Sequence, residues 1–261
     1  MDRRIVKLAL ALGALGVLAL SVTVFTEARA QAPTAVDPEA VQLLRRSTEY
    51  LGSLQQFSVH ARNMHEDLLD SGHKIHFGAA GSLTVSRPNK LRGERHGAGF
   101  KQTLYYDGKT VTLHNSPDNF YASEPAPGTI PEMFTFASDA LELHIPITDL
   151  IWPDVFPLLM EDVTMATVIG KEIVGEVTCD HLLFSRPGVD FEIWVADSGP
   201  PLPFAYVVTD TGTPELLSVV TTMSDWNVDP TVPAGWFTFV PPEGATEVPF
   251  LKPVSDHGPI R

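Results

Sequence analysis

Apolar residues keep a helical spacing at the start of the mature chain and then fall on every second position. Val41, Leu44, Thr48, Leu51 and Leu54 form one stripe at helical spacing, with Arg45, Arg46 and Glu49 off it. Asp37-Pro38-Glu39 supplies the start: Asp accepts from free N–H groups, Pro suits the first turn, and Glu favours the positive end of the dipole. The pattern therefore predicts a helix ending near Leu54. From Phe57 the period changes, and Phe57, Val59 and Ala61 alternate with Ser58, His60 and Arg62 in a strand predicted to reach about Leu68. Asp70-Ser71-Gly72 turns the chain back into a strand carrying Ile75, Phe77, Leu83 and Val85. The Gly78-Ala79-Ala80-Gly81 stretch within it predicts a bend or bulge. Arg87-Pro88-Asn89-Lys90 is a further turn, and Leu91 to His96 a further strand.

The segment Phe100–Ser123 reads as three short antiparallel strands. Asp107-Gly108 predicts a type I′ hairpin turn, because Gly supplies positive φ cheaply. Ser116-Pro117-Asp118-Asn119 marks the next reversal. Phe100, Leu104 and Tyr106 share one face against Lys101, Thr103 and Tyr105, and Val111 and Leu113 alternate with Thr110, Thr112 and His114. One apolar and one mixed face predict a sheet covered on one side.

Past Ser123 the alternation stops. Pro125, Pro127 and Pro131 make a loop, and Pro131-Glu132 opens a second helix with Met133, Phe136, Ala137, Ala140, Leu141 and His144 on one side. Ile147 to Met160 is helical but interrupted by Pro153 and Pro157, and apolar nearly all round. Strands resume near Val163: Thr167–Val174, Thr178–Ser185, Asp190–Ala196, Leu202–Thr209, Leu216–Met223 and Trp236–Phe239. The expectation is about ten or eleven strands, mainly β, with helices only at the start and in the middle. Strands and helices do not alternate, which excludes a parallel βαβ sheet.

Composition adds an address. Arg3, Arg4 and Lys7 precede an apolar run from Leu8 to Leu20, and Ala28-Arg29-Ala30 fits a small-x-small cleavage site, so residues 1–30 read as a signal peptide cut after Ala30. An uncleaved membrane anchor is the competing reading, since the apolar stretch extends to Phe25 if Ser21 and Thr23 are tolerated. Residues 31–36 then form a linker, 37–252 one domain and 253–261 a disordered tail. The 261-residue chain carries 18 basic and 32 acidic residues, a formal net charge of −14. Residues 1–30 hold four of the basic and two of the acidic ones, which leaves 14 against 30, or −16, on the mature chain. Such a surface repels phosphates and anionic headgroups, so nucleic acid binding and a polybasic membrane dock are both disfavoured. Cys179 is the single cysteine, so an exported chain must hold together by core burial rather than an internal disulfide.

Several segments together resemble a known family. DPEAVQLLRRSTEYL, FSVHA, LTVSRPNKLRGER, TLYYDGKTVTLHNSPDNFYA, CDHLLF, DFEIWV, LP and SDWNV followed by FTFVPPEGA look like an uncharacterised family of predicted periplasmic bacterial proteins, domain of unknown function 2092, over nearly all of residues 37–251. More distantly, the strand–DGK–strand–D-x-x-x-Y core and the late LP stretch are similar to the periplasmic lipoprotein carriers LolA and LolB and to the sigma-factor regulator RseB. That resemblance implies a periplasmic, LolA-like antiparallel half-barrel whose mouth is covered by an N-terminal helix and two central helices, around an apolar cavity for acyl chains. It implies a lipid or lipoprotein ligand, or a membrane-protein partner, with no cofactor and no catalysis. The cavity and lid positions on this chain would be Leu104, Tyr106, Leu113, Met133, Phe136, Leu141, Ile151, Trp152, Phe156 and Trp194. Core packing between helices and sheet explains the apolar Met133–Met160 segment equally well.

Chemistry-bearing residues give little. Cys179 and His181 share a strand face, as a thiolate pair would, but a buried structural thiol fits the same pattern. His73 and His76 point to opposite faces of a strand, a poor metal bite, and His60 and His65 fare no better. Glu66 with Asp67, Glu161 with Asp162, and Asp225 are carboxylates that read as solvated surface. No G-x-S-x-G or Gly-rich phosphate loop is present. Three functions follow in order: a carrier of a hydrophobic ligand, a sensory or interaction module of the RseB type, and a hydrolase.

Overall fold

The computed structural model describes residues 36–250 other than 142 and 144–147. The signal peptide, nearly all of the linker, the tail after Pro253, and His144 and Ile147 of the expected central helices lie outside the described residues. Helix α1 (Pro38–Ser53) starts where the pattern places it, with the Asp37 carboxylate accepting the Glu39 N–H at 2.9 Å and Pro38 in the first turn. Ala40, Leu44, Ser47, Thr48 and Leu51 are its buried stripe, with Thr48 satisfied internally through the Leu44 carbonyl at 3.0 Å.

Six strands follow: β1 (Gln56–Leu68), β2 (Lys74–Ser86), β3 (Lys90–Gly97), β4 (Phe100–Tyr106), β5 (Thr110–Asn115) and β6 (Phe120–Pro125). Three helices, α2 (Ile130–Leu141), α3 (Thr148–Ile151) and α4 (Phe156–Met160), interrupt the strands. The second run is β7 (Met165–Val174), β8 (Val177–Arg186), β9 (Val189–Ala196), β10 (Pro203–Asp210) and β11 (Ser218–Asn227), and a two-residue β12 (Thr246–Glu247) ends it. All twelve strands join one open, curved sheet in the order β12-β6-β5-β4-β3-β2-β1-β11-β10-β9-β8-β7. Two meanders are thus fused where β1 pairs antiparallel with β11, and only β12 runs parallel to its neighbour. The mainly β, antiparallel architecture agrees with the expectation, at twelve strands rather than ten or eleven.

One apolar core lies on the inner face. It gathers Phe57, Val59, Val85, Leu91, Tyr106 and Val111 from the first meander, Leu182, Phe184, Phe191 and Ile193 from the second, and the buried sides of all four helices. Phe184 and Phe191 stack at 4.8 Å across β8 and β9. Each such fully buried side chain contributes roughly 1.5–3 kcal/mol.

Several local expectations are corrected. β2 passes through Gly78–Gly81 without a register shift against β1 or β3, and irregularities fall instead between Ser58 and His60, Val168 and Gly170, and Pro203 and Ala205. The central residues of the β4–β5 turn are Gly108 and Lys109, and only Gly108 has positive φ (92°), the pattern of type II′ rather than I′. In α2 the buried side is Ile130, Met133, Phe134, Ala137 and Leu141, so Phe134 replaces Phe136 in the deepest position and Ala140 is exposed. Pro153 separates α3 from α4, whereas Pro157 sits in the first turn of α4, where its missing N–H costs nothing. Trp236–Phe239 is a turn rather than a strand, because the Trp236 N–H bonds the Pro233 carbonyl and the Thr238 N–H the Gly235 carbonyl. That segment straps the outer face instead: Phe239 packs against Tyr105, His114 and Tyr121, and the Arg92 guanidinium lies 3.8 Å from the Trp236 ring centre. Strands β3–β6 are therefore covered on both faces, not one.

Candidate functional site

Cross-strand register sorts the inner face of β1–β5 into rows. The lowest, Phe57–Val85–Leu91–Tyr106–Val111, is solid, and none of the five exceeds 1% exposure. The next is Val59–Leu83–Gly93–Leu104–Leu113, with a side chain missing at Gly93. Above it comes Ala61–Gly81–Arg95–Gln102–Asn115, small on one side and polar on the other. A last row, Asn63–Ala79–Gly97–Phe100, leads to Phe77 at the end of the β1–β2 hairpin, 48% exposed. Along β2 large side chains thus give way to small ones as the rows approach solvent.

The gap so created is a hollow of about 140 Å³. Its apolar walls are Leu83, Leu91, Leu104 and Leu113, with Leu143 and Ile151 on the helical side, and its polar lining is Asn63, Ser82, Glu94, Arg95 and Gln102. The volume is comparable to the roughly 150 Å³ cavity known to admit a benzene ring, and it lies below the roughly 300–1,000 Å³ of drug-sized sites. It suits one alkyl segment.

Of the ten residues singled out from sequence, Leu104, Leu113 and Ile151 line this hollow. Tyr106, Met133 and Leu141 are buried in the core. The Tyr106 hydroxyl donates to the Pro127 carbonyl, and burial, then Glu132 and Asp107, pushes its pKa up to about 12. Phe156 is buried with the Arg45 guanidinium 3.9 Å from its ring centre, and Phe136 and Trp152 are half-buried against the core. Trp194 stands apart, on the outer face of β9 beside His181. The residues that form the gap, Ala61, Gly81 and Gly93, and the rim residue Arg95 were missed. Their one sequence signal is small or polar residues on the inward phase of a period-two run.

Around Trp194 the outer face of β7–β9 carries a second cluster. The His181 ring stacks on Trp194 at 3.9 Å and 15°, its Nδ1 lies 3.2 Å from Glu172 Oε1, and its Nε2 lies 2.7 Å from Glu192 Oε2. Trp194 Nε1 donates to Glu172 Oε2 at 3.0 Å, and that bond, with the one from His181, lowers the Glu172 pKa. Both imidazole nitrogens are occupied by carboxylates, so neither is left to activate Cys179. Burial, aided by Asp197 and Asp180, pushes the Cys179 thiol up to about 11, far from a thiolate at neutral pH. The native protein should therefore resist iodoacetamide at mildly alkaline pH and take up one equivalent only in denaturant. Fast alkylation of the folded chain would contradict this.

The other histidines and carboxylates are dispersed. His73 hydrogen-bonds Ser71, His76 faces Glu66, and His60 pairs with Asp225. Glu66 is held mainly by the Ser218 N–H, which lowers its pKa. Among the described residues no three His, Cys, Asp or Glu side chains are grouped to hold a metal ion. A second recess, of about 420 Å³, lies beneath the Val232–Thr238 strap, and Gln56, Ser86, Lys90, Asp107 and Lys109 give it a polar wall.

A family model described as "Predicted periplasmic protein (DUF2092)" matches residues 40–251. No curated protein matches the chain. Among solved structures it is similar to the lipoprotein LppX of Mycobacterium tuberculosis, at 16% identity over 74% of this chain and 100% of that one, TM-score 0.47. It is also similar to LprF of Mycobacterium bovis, at 13% identity over 76% and 98%, TM-score 0.47. A LolA superfamily protein of Nitrosomonas europaea shows 12% identity over 77% and 97%, TM-score 0.40.

Proposed function

The chain belongs to the DUF2092 family of predicted periplasmic proteins, and we propose on that premise that it is a periplasmic binding protein for a hydrophobic molecule, taking one alkyl segment into the hollow of β1–β5. One observation carries the reading: apolar walls surround a void of about 140 Å³ where the inward row lacks a side chain at Gly93. Leucine and isoleucine walls are a favourable place for methylene groups, each worth about 0.8 kcal/mol on burial. Its size favours a single chain end over a multiply acylated lipid. Organic extraction of purified protein followed by mass spectrometry should release an alkyl-bearing molecule. The emptied protein should then bind a fluorescent fatty-acid analogue with one-to-one stoichiometry. A clean extract together with no uptake would remove the reading.

The solid lower row favours a second reading, an interaction module whose interior is filled by its own side chains. A membrane protein captured by chain that neither contains nor binds lipid would support that one. The hydrolase reading finds no support at Cys179, whose neighbour His181 has both nitrogens engaged.

A further inference from the structure

Arg95 is a charged side chain turned inward at the rim of the hollow. Its Nε is buried and has no hydrogen-bond partner, and among the described residues it forms no ion pair. The chain has 32 acidic residues, so this isolation is not for want of carboxylates. Glu94, next in sequence and also on the lining of the hollow, is engaged by Arg92, accepting from its Nη2 at 2.6 Å. Arg95 rests 5.2 Å from the centre of the Phe100 ring, which attracts its charge but gives the buried N–H no acceptor. An unsatisfied donor on a charged group costs more than one on a neutral group. Arg87 also has buried unpartnered nitrogens, but it does not line the hollow.

We infer that Arg95 is the headgroup subsite of the hollow, and that the ligand is an alkyl chain ending in a carboxylate. The inference rests on the hollow taking an alkyl segment. Leu83, Leu104 and Leu113 then hold the chain, while the planar guanidinium meets the two carboxylate oxygens in the fork geometry for which arginine is suited. The Gln102 amide, directly across the strand pair from Arg95, is placed to donate to the same head. The acidic surface elsewhere makes Arg95 the attractive point for an anion that has already reached the mouth.

The test compares octanoate, octan-1-ol and octylammonium at neutral pH by calorimetry. Wild-type protein should bind octanoate at least about tenfold more tightly than octan-1-ol, and octylammonium least tightly. Arg95→Gln should bring octanoate to the level of octan-1-ol and leave octan-1-ol unchanged, and Arg95→Lys should fall between. Should either variant fail to fold, the wild-type ranking alone decides. Equal affinity of wild type for octanoate and octan-1-ol would overturn the headgroup subsite while leaving the hollow. Failure of all three to bind would overturn the hollow and the subsite together.

Discussion

Gly93→Leu weakens alkyl-chain binding roughly a hundredfold and leaves the fold intact. Gly93 lies in the inward row between Leu83 and Leu104, at the point where a side chain is missing from the wall of the hollow. A Cβ added there would sit 3.7 Å from Leu83 Cδ1, an ordinary packing distance, so the new side chain enters empty space rather than neighbouring atoms. Leucine brings four carbons, which take the place of about four ligand methylenes at about 0.8 kcal/mol each, or roughly a hundredfold in affinity. The same carbons bury apolar surface inside the protein, and a strand position gains from losing glycine. Thermal unfolding should shift by no more than a few degrees, while the midpoint of a fluorescent fatty-acid titration should move up roughly a hundredfold. A variant that melts normally and still binds like wild type would place the ligand elsewhere.

How much of this was legible in the sequence differs by feature. The Asp37–Pro38 start of α1 and the alternation from Phe57 follow from local chemistry, and both meanders stand where the period-two runs put them. The Trp236–Phe239 segment misled because its aromatics resemble strand residues, whereas the prolines and Gly235 around it close turns and press those aromatics onto the outer face. The resemblance places Trp194 among the cavity and lid positions. Its own phase, with Phe191, Ile193 and Val195 turned to the core, sends it outward. Where the hollow opens is not legible strand by strand, for a deeper reason. It opens where the small residues Ala61, Gly81 and Gly93 meet, which one strand alone cannot show to be neighbours; only the register of three strands brings them together. Arg95 was hidden likewise, because Leu91-Arg92-Gly93-Glu94-Arg95-His96 has charges on both phases and nothing local says which face is inner.

Gly81→Ala tests whether that register holds, and its expected outcome is opposite to what local propensity dictates. In an ordinary strand, alanine for glycine stabilises by roughly 0.5–1 kcal/mol, because glycine loses more freedom on folding. At Gly81 the added Cβ would lie 1.9 Å from the Glu94 carbonyl oxygen and 2.9 Å from its carbon. Those are backbone atoms of β3, so no side-chain rotation relieves the overlap, and the β2–β3 ladder has to part where Gly81 faces Arg95. Overpacking of this kind costs roughly 3 kcal/mol, which for a chain this size lowers Tm by roughly 10 °C. Gly93→Ala, one row below and with open space before it, should instead hold or raise Tm. Two glycines on neighbouring strands of one hollow therefore answer the same substitution with opposite signs. Differential scanning calorimetry of the pair reads both. A Gly81→Ala protein as stable as wild type would mean that β2 and β3 are not paired in this register, and the rows that define the hollow would lose their basis.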